Sequence, residues 1–106
     1  MEANHIMLLT TVRDEKEADK ITKELVKQKL AACAQIYGPI KSKFMWKQEV
    51  QEDEEWMCFI KSREDLFEDV EKKIKSLHSY ENPEIISFDI SDASEEYEKW
   101  MTKILR

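Results

Sequence analysis

Metal-ligating side chains are scarce in this chain: two histidines, His5 and His78, and two cysteines, Cys33 and Cys58. An imidazole binds copper or zinc well, and divalent copper outcompetes other first-row ions for mixed nitrogen, oxygen and sulfur donors. A metal reading therefore starts at His78. In the last turn of a helix the same imidazole also complements the helix dipole, and both roles stay open. The cysteines lie far apart in apolar surroundings and read as small core residues, reduced in a cytosolic chain. A second kind of site is suggested by Tyr80, Tyr97 and Trp100. An inter-subunit cleft lined by these aromatics and by Lys or Glu would hold a small anionic or aromatic ligand, unless the rings only pack the last helix.

Catalytic motifs are missing from the sequence. Gly38 is the only glycine, so no glycine-rich phosphate loop can form. Neither Cys-x-x-Cys nor His-x-x-x-His occurs, and no serine has a nucleophile-elbow context. Paired carboxylates such as Glu54 and Glu55 fall on a charged segment and read as solvated. The expectation is a protein that is not an enzyme and needs no organic cofactor.

The 106 residues make one domain, residues 1–106, with 1–5 a flexible start. The 23 acidic residues against 17 basic ones give a net charge of -6, with Lys and Glu interleaved, which disfavours nucleic acid as a partner. The apolar runs Ile6–Leu9 and Trp56–Ile60 are too short for membrane insertion. The first residues lack the pattern of a secretory signal, so the expected location is cytoplasmic.

Those side chains must be positioned by long, tightly joined elements, since one Gly and two Pro leave little loop. Ile6–Val12 reads as a central strand, covered on both faces or paired on both edges. Asp14, with Glu17 three residues on, starts a helix that ends near Lys29. Leu30–Trp46 reads as one long strand bulged at Gly38-Pro39. Lys47–Glu49 turns the chain into a returning strand that ends near Lys61. Ser62 reads as the cap of a helix bearing Leu66, Phe67, Val70, Ile74 and Leu77. Glu84–Ser91 alternates as a strand, and Ser94 opens a last helix with Tyr97, Trp100, Met101, Ile104 and Leu105 on one side. The class is α+β: a ferredoxin-like βαββαβ sandwich with an extra C-terminal helix and a long hairpin between the second and third strands. That overhanging, aromatic-rich hairpin leaves unpaired edges, which favours oligomerisation.

Five stretches resemble the CutA family of divalent-cation tolerance proteins. They are Leu9-Thr10-Thr11-Val12-Arg13-Asp14-Glu15, Leu30-Ala31-Ala32-Cys33-Ala34, Ser42-Lys43-Phe44-Met45-Trp46-Lys47, His78-Ser79-Tyr80-Glu81-Asn82-Pro83-Glu84-Ile85-Ile86, and the pair Tyr97 and Trp100. The resemblance implies a homotrimer joined through its long hairpins and an association with copper, Cu2+, or another divalent cation. It adds Cys33 and Glu81 to His78 as metal ligands. Where the family has a cysteine and a second histidine among its proposed ligands, this chain has Thr10 and Leu77. It also has Arg13 and Ser79 where prolines are usual, and no glycine near Gln48. Two other readings compete with copper tolerance. One is a small-ligand-sensing regulator like the nitrogen-signalling PII-like trimers, and the other a structural scaffold whose metal binding is incidental.

Overall fold

The computed structural model describes residues 3–106. The first strand, β1 (His5–Val12), is paired on both edges, so the second arm of the sequence expectation is the one realised. His5 does not belong to a flexible start. It opens β1 opposite Arg63, and its Nε2 lies 3.1 Å from Thr102 Oγ1. Met1 and Glu2, the beginning of that expected start, lie outside the described residues.

Helix α1 (Glu15–Lys27) begins as its capping box predicts, with the Asp14 carboxylate accepting from the Glu17 backbone N–H at 2.8 Å. It ends two residues short of Lys29, which takes a left-handed φ of 61°. Leu30 N–H bonds Leu25 O and Lys29 N–H bonds Val26 O, the two bonds of a Schellman cap. Because Lys29 occupies a place where glycine is usual, sequence alone shows no stop. For the same reason strand β2 (Cys33–Trp46) starts three residues later than Leu30, after a buried turn of Leu30, Ala31 and Ala32.

Strand β3 (Glu49–Arg63) returns along β2, and the register shifts between Tyr37 and Ile40, at the expected Gly38-Pro39 bulge. The connecting residues Lys47 and Gln48 have φ of 50° and 67°, the signature of a type I′ turn made without glycine. Ser62 is not a helix cap. It is the penultimate residue of β3, fully buried, and its hydroxyl donates to Leu30 O at 2.6 Å. After a single 3-10 turn (Glu64–Leu66), helix α2 (Phe67–Leu77) buries Val70 and Ile74. Strand β4 (Ile86–Asp89) is shorter than Glu84–Ser91, and helix α3 (Glu95–Ile104) begins after Ser94, whose side chain makes no capping bond.

The strands form one antiparallel sheet in the order β2-β3-β1-β4, which with two crossover helices is the ferredoxin-like arrangement. One face carries Leu8, Val12, Cys58 and Ile60 against Ile21, Leu25, Val70 and Ile74 of α1 and α2, all fully buried. Register assigns Met7, Leu9, Tyr37, Met57, Phe59, Ile86 and Phe88 to the opposite face. Only one end of that face is covered by α3, where Tyr97 and Thr102 meet Lys61 and His5. Beyond the sheet body the β2–β3 hairpin projects, and the molecule measures 45 × 25 × 22 Å.

Candidate functional site

At the uncovered end of the second face, the base of the hairpin and the connection after α2 enclose an open cleft of about 1240 Å³. Its hairpin wall is Ser42, Phe44 and Trp46 with Asp53 and Glu55; its other wall is Tyr80, Glu81, Asn82, Pro83 and Glu84.

The connection is held by a chain of polar bonds. Tyr80 N–H donates to His78 Nδ1 at 3.1 Å, so that nitrogen carries no proton and Nε2–H donates to Thr11 O at 2.8 Å. The ring is fully out of solvent and lies against Tyr80, centroids 4.9 Å apart. The Glu17 carboxylate accepts from both the backbone N–H and the hydroxyl of Ser79, each at 3.1 Å, and so ties the connection to α1. The Tyr80 hydroxyl in turn donates to Glu55 Oε2 at 2.9 Å. Burial raises the Tyr80 phenol well above its ordinary value, with the hydrogen bond to Glu55 and the charges of Glu55, Asp53 and Glu17 adding to the shift. Tyr80 therefore stays a neutral donor. Glu55, expected to be solvated, is only 7% exposed, whereas Glu54 beside it points to water. Strand alternation gives the reason: Glu55 shares its side of β3 with Met57, at the edge of the folded sheet, and that alternation was the available signal.

The sequence-derived metal trio does not meet within one chain. Both His78 nitrogens are already bonded, Glu81 is exposed at the cleft, and Cys33 pairs across from Lys61, on the rank that α3 covers. Among the described residues no three His, Cys, Asp or Glu side chains approach closely enough to hold a metal ion. Tyr97 and Trp100 stack on α3 with centroids 5.4 Å apart and do not line the cleft with Tyr80. Cys58 faces α1 and α2 while Cys33, an odd number of ranks away, faces the other side, so the two cannot join. Burial, then the Asp19 and Glu17 charges, pushes the Cys58 thiol up to about 12, which makes it inert at neutral pH.

The family model described as CutA1 divalent ion tolerance protein matches residues 6–104. The chain belongs to this family. It is 38% identical over 96 residues to the divalent-cation tolerance protein CutA of Pyrococcus horikoshii, covering 91% of this chain and 93% of that protein. The crystal structure of CutA1 from Oryza sativa superposes with a TM-score of 0.96 at 30% identity, covering 99% of this chain and 96% of the other. The CutA structure from Archaeoglobus fulgidus, described as periplasmic, gives 0.93 at 32% identity over 96% and 99% of the two chains. In this chain no helix among the described residues is long and apolar enough to cross a membrane.

Proposed function

We propose that this CutA1-family chain is a non-enzymatic divalent-cation tolerance protein that works as a homotrimer in the cytoplasm, with copper as its first cation. The observation that carries this reading is the uncovered apolar half of the sheet. Tyr37, Ile86 and Phe88 there are each about half exposed or more, and Phe44, Met45, Trp46 and Val50 stand in water along the hairpin. Patches of this extent mark interaction surfaces, and long strands with free edges are closed by pairing. Copies of the chain supply both through the hairpins. Since no three donors meet among the described residues of one chain, the copper site of this reading draws ligands from more than one subunit, with exposed Glu81 available and His78 already bonded.

Charge in the cleft separates this reading from an anion-sensing regulator. Asp53, Glu55, Glu81 and Glu84 line it against Lys43, and Lys43 already pairs with Glu52 at 3.2 Å. Such a surface attracts cations. Native mass spectrometry under stepwise Cu2+ tests the metal arm. Uptake in whole, saturable equivalents by the trimer, weakened in Glu81→Gln and retained in His78→Gln, is expected. Loose, non-stoichiometric adducts would instead leave a scaffold with incidental metal binding.

A further inference from the structure

His78 is the residue at which the chain leaves α2. Its own N–H closes the helix on Ile74 O at 2.9 Å, and its backbone then turns extended, with φ -81° and ψ 139°. Residues 79–85 follow without helix or strand, and they carry the exposed Glu81. A stretch of this kind keeps one position only where bonds from outside it supply the order that a helix or strand would. Three consecutive residues collect such bonds: His78 from Thr11 of β1, Ser79 from Glu17 of α1, and Tyr80 from Glu55 of β3. The imidazole also accepts from the Tyr80 N–H, so it fixes the connection two residues beyond itself, and its ring is wholly out of solvent.

A ligating histidine also donates its other N–H to a carbonyl, so the bond to Thr11 O does not by itself separate a ligand from a structural bridge. Nδ1 separates them. It faces the Tyr80 N–H at 3.1 Å, and the Glu17 carboxylate 3.9 Å away already holds Ser79. A metal at Nδ1 would displace that N–H and leave a part-buried backbone donor unbonded, which is costly. Nor are companion donors at hand. The positions where the family resemblance puts a cysteine and a second histidine hold Thr10 and Leu77. Thr10 is fully buried on the sealed face opposite Cys58, its hydroxyl without a hydrogen-bond partner among the described residues, and Leu77 packs against the core. A neutral hydroxyl is none of the donors that copper favours. The residues at this place do not fit a copper centre.

We propose that His78 is a positioning residue: it clasps the connection after α2 to β1, so that Glu81 is presented from a fixed backbone, and its own nitrogens take no metal. The role of Glu81 rests on the divalent-cation reading, while the clasp stands on the bonds to Thr11 and Tyr80. The two roles of the ring make different demands on the side chain. A ligand at this position has to be an imidazole, whereas a clasp has only to offer one acceptor and one N–H. A glutamine amide offers both, and alanine offers neither.

Amide hydrogen exchange at Tyr80, read together with stepwise Cu2+ uptake on the full chain, His78→Ala and His78→Gln, tests the clasp. His78→Ala should speed Tyr80 exchange about tenfold or more and weaken copper uptake about tenfold, the scale of one or two lost hydrogen bonds. His78→Gln should bring both back close to the unaltered chain. Uptake lost equally in the two variants, with Tyr80 still protected in His78→Gln, would make His78 a ligand and overturn the proposal. Unchanged exchange and uptake in His78→Ala would overturn it as well. Should His78→Ala fail to fold, nitrogen NMR of the unaltered chain decides, with Zn2+ as a diamagnetic probe. Ring nitrogens of His78 that stay in place at saturation support the clasp, and a metal-bound shift at Nδ1 overturns it. If the unaltered chain takes up no copper in whole equivalents, the divalent-cation reading fails alone, and Tyr80 exchange in the two variants still decides the clasp.

Discussion

The two faces of the sheet are built from equally apolar strands but have opposite fates. On the side of α1 and α2, Leu8, Val12, Cys58, Ile60, Val70 and Ile74 are sealed completely. On the other side α3 reaches only the end with His5 and Lys61, and Phe88 remains 54% exposed although it pairs directly with Met7. Burial on the first face is what a single chain accomplishes. Exposure on the second is what a single chain leaves open. Apolar content alone therefore does not locate a core; which helices return over which face decides it.

Changes on the two faces should differ accordingly, and the largest effect belongs to the sealed one. Leu8→Ala opens a cavity among closely packed neighbours and should cost about 2–5 kcal/mol in urea unfolding. Phe88→Ala, on the adjacent strand but the other face, should leave the dilute monomer far less affected and show itself in the assembly mass. Equal losses at both positions would erase the distinction between the faces.

The next effect concerns the bulge where the hairpin leaves the sheet. A Cβ at Gly38 would lie 2.7 Å from Cδ2 and Cε3 of the Trp56 ring, closer than packed carbons come. Gly38→Ala should lower stability by about 1–3 kcal/mol, the range for overpacking. An unchanged melting temperature would show that the indole moves aside freely.

Alkali sharpens the comparison through the thiols. Cys58 has its pKa raised on folding, to about 12, so its contribution is fully present below the ordinary thiol value near 8.5 and is lost as pH rises through the folded value. Stability should fall from about pH 9 upward, less steeply in Cys58→Val. At neutral pH a thiol reagent should leave Cys58 unmodified until the chain unfolds; rapid labelling there would mean the sealed face opens readily.

The smallest effect lies at the hairpin tip, which belongs to neither face. Gln48 sits at φ 67° without being glycine. Gln48→Gly should raise thermal stability modestly, by about 0.4–1 kcal/mol or less, since a type I′ turn favours glycine there. No gain would mean the tip is held by contacts other than its own backbone.

Much of this architecture could be read from the residues. Asp14 with Glu17, the alternation from Ile40 to Trp46 and the helical stripe through Val70 and Ile74 each carry a local rule that the folded chain obeys. Boundaries failed where the chain breaks such rules: Lys29 ends a helix as glycine would, and Ser62 looks like a cap but bonds a backbone carbonyl 32 residues away. The cleft was legible only in part. Tyr80 and Glu81 were singled out from the sequence and do line it, but Glu55 looked solvated because its burial depends on which side of β3 meets the connection after α2. His78 was legible as important and illegible as to role. A ligand and a structural bridge use the same ring, and only the bonds to Thr11 and Tyr80 distinguish them. Tyr97 and Trp100 could not be placed relative to Tyr80 at all without knowing which face α3 covers.

The central claim, that the uncovered face and the hairpin are completed by copies of the chain, is tested most directly by native mass spectrometry of the untagged protein across a dilution series. The account predicts a persistent species at three times the 12.7 kDa chain mass, dissociated by a charge placed in the open face as in Phe59→Glu. A well-folded monomer at every concentration, with the apolar face left in water, would contradict it.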